Sequence, residues 1–277
     1  MHWQTTRFQI DLTQPRVMGI VNLTPDSFSD TERHDGTASA LAHCERLLRE
    51  GADMLDLGAE STRPGATPVS QEEELARLLP VLDAALRLGC PVSVDTRQPA
   101  VMAAALERGA DAINDVYALR SPGALQALLA HPGAGVCLMH LRGEPATMHR
   151  LAPMVDVVGQ VHAFLSARCQ DVQSSGVAAA RIVLDPGIGF GKAAAENVEL
   201  LRRQRELLDL GRPLLVGWSR KGTLGAITGR SVGERLAASV AAALAAVQRG
   251  ARIVRVHDVG PTVDALKVWR AAGLPDG

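Results

Sequence analysis

Aromatic residues are scarce in this chain of 277 residues: Phe, Trp and Tyr make up 3%, with a single tyrosine. That argues against β-sandwiches stacked with aromatic rings and leaves a core of Val, Ile, Leu and Ala, a composition suited to α/β folds. Cysteine is sparse as well. Cys44, Cys90, Cys137 and Cys169 stand far apart with no Cys-x-x-Cys pattern, so neither a disulfide framework nor a zinc cluster is expected, and the thiols read as reduced and buried. Neither sign of charge is in excess. Lys and Arg number 29 against 30 Asp and Glu, a net charge of -1, which removes the basic surface that nucleic acid or an anionic membrane would need. The expected partner is a small molecule, with no nucleic acid and no membrane. Long hydrophobic runs are missing too. The most apolar stretch, LAASVAAALAAV from Leu236, falls short of the ~20 residues of a membrane span, and the opening MHWQTTRFQIDL has no apolar signal core. A soluble cytoplasmic protein is expected.

What is present is a repeated alternation. Apolar runs bounded by Gly or Pro end near Asn22, Asp56, Asp95, Asn114, His140, Asp185, Ser219 and His257, spaced 19 to 45 residues apart. Unbroken apolar character, in place of apolar/polar alternation, marks strands buried on both faces of a parallel sheet. Helical patterns such as SQEEELARLLPVLDAALRLG and VGERLAASVAAALAAVQRG lie between them. EGADMLDL, RGADAIND and RGARIVRV share one joint, a Gly that stops a helix in the left-handed region and then a strand. Ser70 with Glu73 predicts a capping box, and Pro99 and Pro122 suit first helical turns. Eight strand–helix units predict an α/β fold, a (β/α)8 TIM barrel forming a single domain over 1–277, in preference to a doubly wound open sheet. The first dozen residues predict a short N-terminal hairpin or cap.

In such a barrel the active site lies at the C-terminal ends of the strands, where all of the polar residues above fall. Any one of them alone could be a turn or cap residue. Arg255 and His257 stand two apart, and Arg220 and Lys221 enter a helix in GWSRKG; two cationic clusters there point to a phosphorylated substrate. Asp95, Asn114 and Asp185 suit the N–H and C=O edge of a heterocycle, where lost hydrogen bonds are expensive. DPGIGFGK is not a phosphate-binding P-loop, because Ala193 follows Lys192; its glycines suit a tight turn that presents Phe190.

Read together, MGIVNLTPDSFSD, DLGAESTRPGA, SVDT, NDV, MHLRGEPATM, DPGIGFGK, SRKG and RVHDV resemble, in order and spacing, the motifs of the dihydropteroate synthase family of pterin-binding barrels. The resemblance runs from about Val17 to the end of the chain. It implies condensation of 6-hydroxymethyl-7,8-dihydropterin pyrophosphate with p-aminobenzoate, giving 7,8-dihydropteroate and pyrophosphate in folate synthesis. It further implies a Mg²⁺ cofactor with Asn22 as ligand, a sulfonamide target and a homodimer. By the same resemblance, Asp95, Asn114, Asp185 and Lys221 hold the pterin, and Asn22, Thr62, Arg255 and His257 the diphosphate. Phe28, Arg63, Pro64, Phe190 and Ser219 serve p-aminobenzoate, and Asp185, Lys221, Arg63, Arg255 and His257 are the catalytic set. Gly222 departs from a frequent Ser, which leaves the p-aminobenzoate carboxylate to backbone N–H groups and Thr223. Two other readings are a pterin-dependent methyltransferase, which has no use for a diphosphate cradle, and a non-catalytic pterin-binding paralogue, which would have lost Asn22, Arg63, Lys221 or Arg255.

Overall fold

The computed structural model describes residues 1–23, 33–60, 69–144, 147–148 and 151–273. A short antiparallel hairpin, β1 (His2–Gln4) with β2 (Gln9–Asp11), precedes a closed barrel of eight parallel strands. These are β3 (Arg16–Asn22), β4 (Met54–Gly58), β5 (Val92–Asp95), β6 (Ala112–Asp115), β7 (Gly135–Met139), β8 (Ile182–Asp185), β9 (Leu214–Val216) and β10 (Ala251–Val256). They pair in sequence order, and β10 closes on β3. Helices α1 (Arg33–Arg49), α2 (Gln71–Ala85), α3 (Pro99–Glu107), α4 (Ala124–Leu129), α5 (Val157–Ser174) and α6 (Ala194–Arg202) follow β3 to β8 in turn. After β9 come α7 (Gly222–Thr228) and α8 (Leu236–Val247), and after β10 comes α9 (Val259–Ala271). The expected (β/α)8 barrel with its N-terminal hairpin is what the chain forms.

Most strand positions are apolar because both faces are covered. Outward residues such as Val17, Leu55, Val94, Ile113, Leu138 and Leu184 pack under the helices in the large outer core. Inward residues Met18, Met54, Ala112, Cys137, Val183, Leu215 and Ile253 form a second cluster with Trp3, Ile10 and Leu12 of the hairpin region. The hairpin therefore plugs the mouth at the N-terminal ends of the strands. Trp3 is 1% exposed, and its indole N–H donates to Arg181 O at 2.9 Å. Trp3→Ala should cost about 3–5 kcal/mol, the usual toll of a large core truncation, read from urea unfolding. A loss below about 1 kcal/mol would show that the hairpin is not part of the cooperative core.

The repeated joint is present at all three places. Gly51, Gly109 and Gly250 have φ of 99°, 97° and 91°, and each ends a helix just before an inner strand. Three local readings need correction. Ser70 caps α2 by accepting from Glu73 N at 3.2 Å, but the Glu73 carboxylate turns to Arg77 instead of completing the box. Pro122 lies ahead of α4, whose N-cap is Gly123 at φ 93°. The stretch read as one helix from Val232 breaks at Arg235 into a 3-10 turn and α8. All four cysteines are free and buried, and burial pushes the Cys44 thiol up to about 12 and Cys90 to about 11, so neither is a nucleophile near neutral pH. Among the described residues no helix is long and apolar enough to cross a membrane.

Candidate active site

Side chains alternate along a strand, so the residues two steps beyond the inward apolar layer also face the barrel axis. Met54 leads to Asp56, Ser93 to Asp95, Ala112 to Asn114, Val183 to Asp185 and Ile253 to Arg255. One turn of the pleat thus converts an apolar plug into a polar floor. Here the structure brings the predicted residues together. Arg255 Nε donates to Asp56 Oδ2 at 2.6 Å, and its Nη2 donates to Asp95 Oδ2 at 2.8 Å. Asn114 Nδ2 also donates to Asp56 Oδ2, at 3.0 Å. Asp56 Oδ1 and Asp95 Oδ1 are buried without a hydrogen-bond partner among the described residues. Such acceptors cost about 1–3 kcal/mol each until a donor reaches them, which suits a ligand rich in N–H groups.

The electrostatics follow from burial. Desolvation lifts the Asp95 carboxyl to about 7, with Arg255 pulling against it and Asp56 adding to it. Burial also raises Asp185, opposed by the Gly187 amide, Lys221, Lys192 and Arg255. Burial penalises the Arg255 charge, yet Asp56 and Asp95 more than reverse this and hold the guanidinium above its ordinary value. Three carboxylates around one largely buried guanidinium form a network in which the proton count depends on what binds.

Above the floor stand the loops after β8, β9 and β10. Gly187 N donates to Asp185 Oδ1 at 2.7 Å, and positive φ at Gly187, Gly189 and Gly191 coils the next segment into the expected tight turn. The turn lays the Phe190 ring 4.3 Å from Lys221 Nζ, a cation–π distance. Ser219 is buried, and its Oγ lies 3.1 Å from His257 N and 3.0 Å from His257 Nδ1. A hydroxyl that accepts the His257 amide and gives its own proton to Nδ1 leaves the ring proton on Nε2. Asn22 ends β3 on the same inward register as Met18.

Several residues sit elsewhere than the sequence suggests. Asp56 is not a strand end; β4 continues to Gly58, and Asp56 lies in the floor with no exposure. His140 is one residue out of the inward register and packs edge-on against Phe164 of α5, centroids 5.0 Å apart; burial lowers it to about 3, so it is neutral. His257 falls just past the end of β10. Arg220 is not part of an anion cluster: at φ 58° it turns away and grips Asp258 through Nη2 (2.5 Å) and Nε (3.1 Å). Thr223 Oγ1 is engaged by Asn197 Nδ2 at 3.0 Å. Phe28, Thr62, Arg63 and Pro64 lie outside the described residues.

Sequence reasoning missed two features of the rim. Arg97 makes a two-pronged ion pair with buried Glu60 (2.9 and 3.0 Å), directly before residue 61. Lys192, set aside with the P-loop, is buried beneath the Phe190 turn. An i+37 contact has no local signature, whereas a lysine closing a glycine turn could have prompted a search for carbonyl partners. A groove of about 430 Å³ on the outer wall, lined by His162, Cys169, Gln173 and Asp209, receives none of the inward strand residues.

Residues 18–257 match the model of a family described as pterin binding enzyme. The chain is 52% identical over 278 residues to the dihydropteroate synthase of Neisseria meningitidis serogroup B, with 98% of each covered. It is similar to the dihydropteroate synthase of Burkholderia cenocepacia, solved with 7,8-dihydropteroate, at TM-score 0.88 and 50% identity, covering 98% of this chain and 96% of that one. The Yersinia pestis dihydropteroate synthase, solved with a sulfonamide drug, gives TM-score 0.93 and 42% identity, with 99% of each covered.

Proposed function

The chain belongs to the pterin-binding enzyme family, and from that premise we propose that it catalyses the dihydropteroate synthase reaction within one unit spanning residues 1–277. Dihydropterin pyrophosphate and p-aminobenzoate are the substrates, and 7,8-dihydropteroate and pyrophosphate the products. The observation that carries this reading is the joining of Asp56, Asp95, Asn114 and Arg255 in one buried network at the C-terminal end of the barrel, with Asp185 in the same inward layer.

In this reading the carboxylates and the Asn114 amide take the N–H edge of the pterin, and Lys221 sits beside it under Phe190. The bond that breaks is C–O at the exocyclic methylene, whose electron pair leaves with the diphosphate. The bond that forms is C–N, from the lone pair of the aniline nitrogen, which then loses one proton to water. The electron-rich ring spreads the positive charge on the methylene, and buried Asp185 favours that charge electrostatically. Arg255 and His257 receive the leaving diphosphate; two of the three Arg255 nitrogens are held by Asp56 and Asp95, which fixes the direction of the third. A neutral aniline is nucleophilic without a strong base, so the site needs none.

Among the described residues no three His, Cys, Asp or Glu side chains gather to cage a metal. The neutral amide of Asn22 fits a magnesium ion held mostly by the diphosphate and water, the usual manner of Mg²⁺. Bound there, Mg²⁺ would neutralise charge on the leaving group.

The test is incubation with dihydropterin pyrophosphate, p-aminobenzoate and Mg²⁺. Pyrophosphate release that requires the amine supports the reading; release without it, or none, overturns it. A sulfonamide should compete with p-aminobenzoate, raising its apparent KM at constant kcat, and indifference to the drug would remove the assigned amine site.

A further inference from the structure

Lys192 is buried, yet among the described residues no carboxylate ion pair accounts for it. Its ammonium donates to Gly187 O at 2.8 Å, Phe190 O at 3.1 Å and His140 O at 3.2 Å, so all three N–H bonds end on backbone carbonyls. The side chain thereby joins both ends of the 187–190 turn to the end of β7. The turn is pressed against that neighbour: a Cβ on Gly187 would stand 2.0 Å from His140 O, and one on Gly191 would stand 2.2 Å from Arg142 O. From the other side Asn197 of α6 accepts from Gly189 N at 2.8 Å and donates to Lys192 O at 3.2 Å. The turn ends in the Phe190 ring over Lys221.

We propose that Lys192 is a positioning residue for the amine half of the reaction: its ammonium, tied to three carbonyls, fixes the turn that sets Phe190 against Lys221. The inference rests on the proposed function for the identity of the two substrates and on Phe190 as the residue that serves p-aminobenzoate. Only an ammonium supplies three donors from one small atom, and its charge strengthens each bond. Burial pushes its pKa down to about 7, with Asp185 and Glu196 opposing this and Lys221 and Arg142 adding to it. The P-loop role is excluded by geometry, since the nitrogen is spent on the protein's own carbonyls. Phe190 responds first to its loss, because the Phe190 carbonyl is itself an acceptor, and Lys221 responds only through the ring.

The experiment compares Lys192→Met, which keeps the stem and removes the donors, with Lys192→Gln, which restores two of them. In the Met variant the KM for p-aminobenzoate should rise about tenfold or more, as displacement of a positioning group does. Its kcat and the KM for dihydropterin pyrophosphate should stay within about threefold of wild type, and the Gln variant should recover part of the loss. An unchanged KM for p-aminobenzoate overturns the proposal, and so does a parallel change in all three constants, which marks a merely structural lysine. If the Met variant does not fold, the same split, smaller, must appear in the Gln variant, and its absence overturns the proposal. A wild-type protein without amine-dependent pyrophosphate release would instead defeat the proposed function.

Discussion

Arg255→Ala is expected to lower kcat/KM for dihydropterin pyrophosphate by about 10³-fold, the scale on which loss of a preorganised charge stabiliser acts. It should also destabilise the fold by about 3–5 kcal/mol near pH 8, because removing one partner strands buried charges. The Arg255 side chain is 20% exposed, while Asp56 is fully buried and Asp95 is 12% exposed, so water can replace it only in part. The pH dependence of the deficit identifies its cause. Even beside Arg255 the Asp95 carboxyl is lifted by burial from 3.8 to about 7. A group whose folded pKa is raised contributes stability that is full below its unfolded value and lost as pH rises through the folded one. Without the guanidinium the folded value moves higher still. The variant holds its proton over a wider range, and its deficit should be smaller near pH 5 and grow toward pH 8. Melting temperatures across that range check the first half, and a deficit that does not vary with pH would dissociate it from the carboxylates. For the second half, binding of a pterin without phosphate should fall far less than binding of the diphosphate. Equal losses would confine Arg255 to the floor and leave the leaving group to other residues.

The same residue shows how far the sequence could be read. That Arg255, Asp95, Asn114 and Asp185 belong to one rim was legible, because strands buried on both faces announce their ends and a barrel collects those ends on one side. That Arg255 meets Asp56 and Asp95 was not legible, since those contacts span 199 and 160 positions and depend on strand tilt and register. Asp56 was misplaced by two residues, which in a strand changes layer without changing face. Arg220 and Lys221 look alike in SRKG, and only the fold separates them: a backbone at φ 58° sends one to Asp258, while the other stays under Phe190. His140 fails for the opposite reason, a shift by one that sends it outward to Phe164. The glycine joints at Gly51, Gly109 and Gly250 were legible to the residue because their signal is local: left-handed backbone at a helix end admits few other side chains.

Asp185→Asn separates charge from shape. The amide oxygen can still accept from Gly187 N, now 2.7 Å from Asp185 Oδ1, so the turn that carries Phe190 should survive. Stability should change by about 1 kcal/mol or less, because the desolvation cost of a buried carboxylate disappears together with its attractions. The reaction should not be spared. If the carboxylate only accepts hydrogen bonds from the pterin, the variant binds pterin more weakly but turns over normally once saturated, since an interaction equal in ground and transition states leaves kcat alone. If its charge stabilises the cation that forms as the diphosphate departs, kcat at saturating pterin should itself fall by about 10²–10³-fold. We expect the second result. Kinetics at saturating p-aminobenzoate, with pterin affinity measured separately, distinguish the two. A normal kcat with a raised KM would return Asp185 to recognition alone and shift the burden of charge stabilisation onto the diphosphate side, where Arg255 and His257 stand.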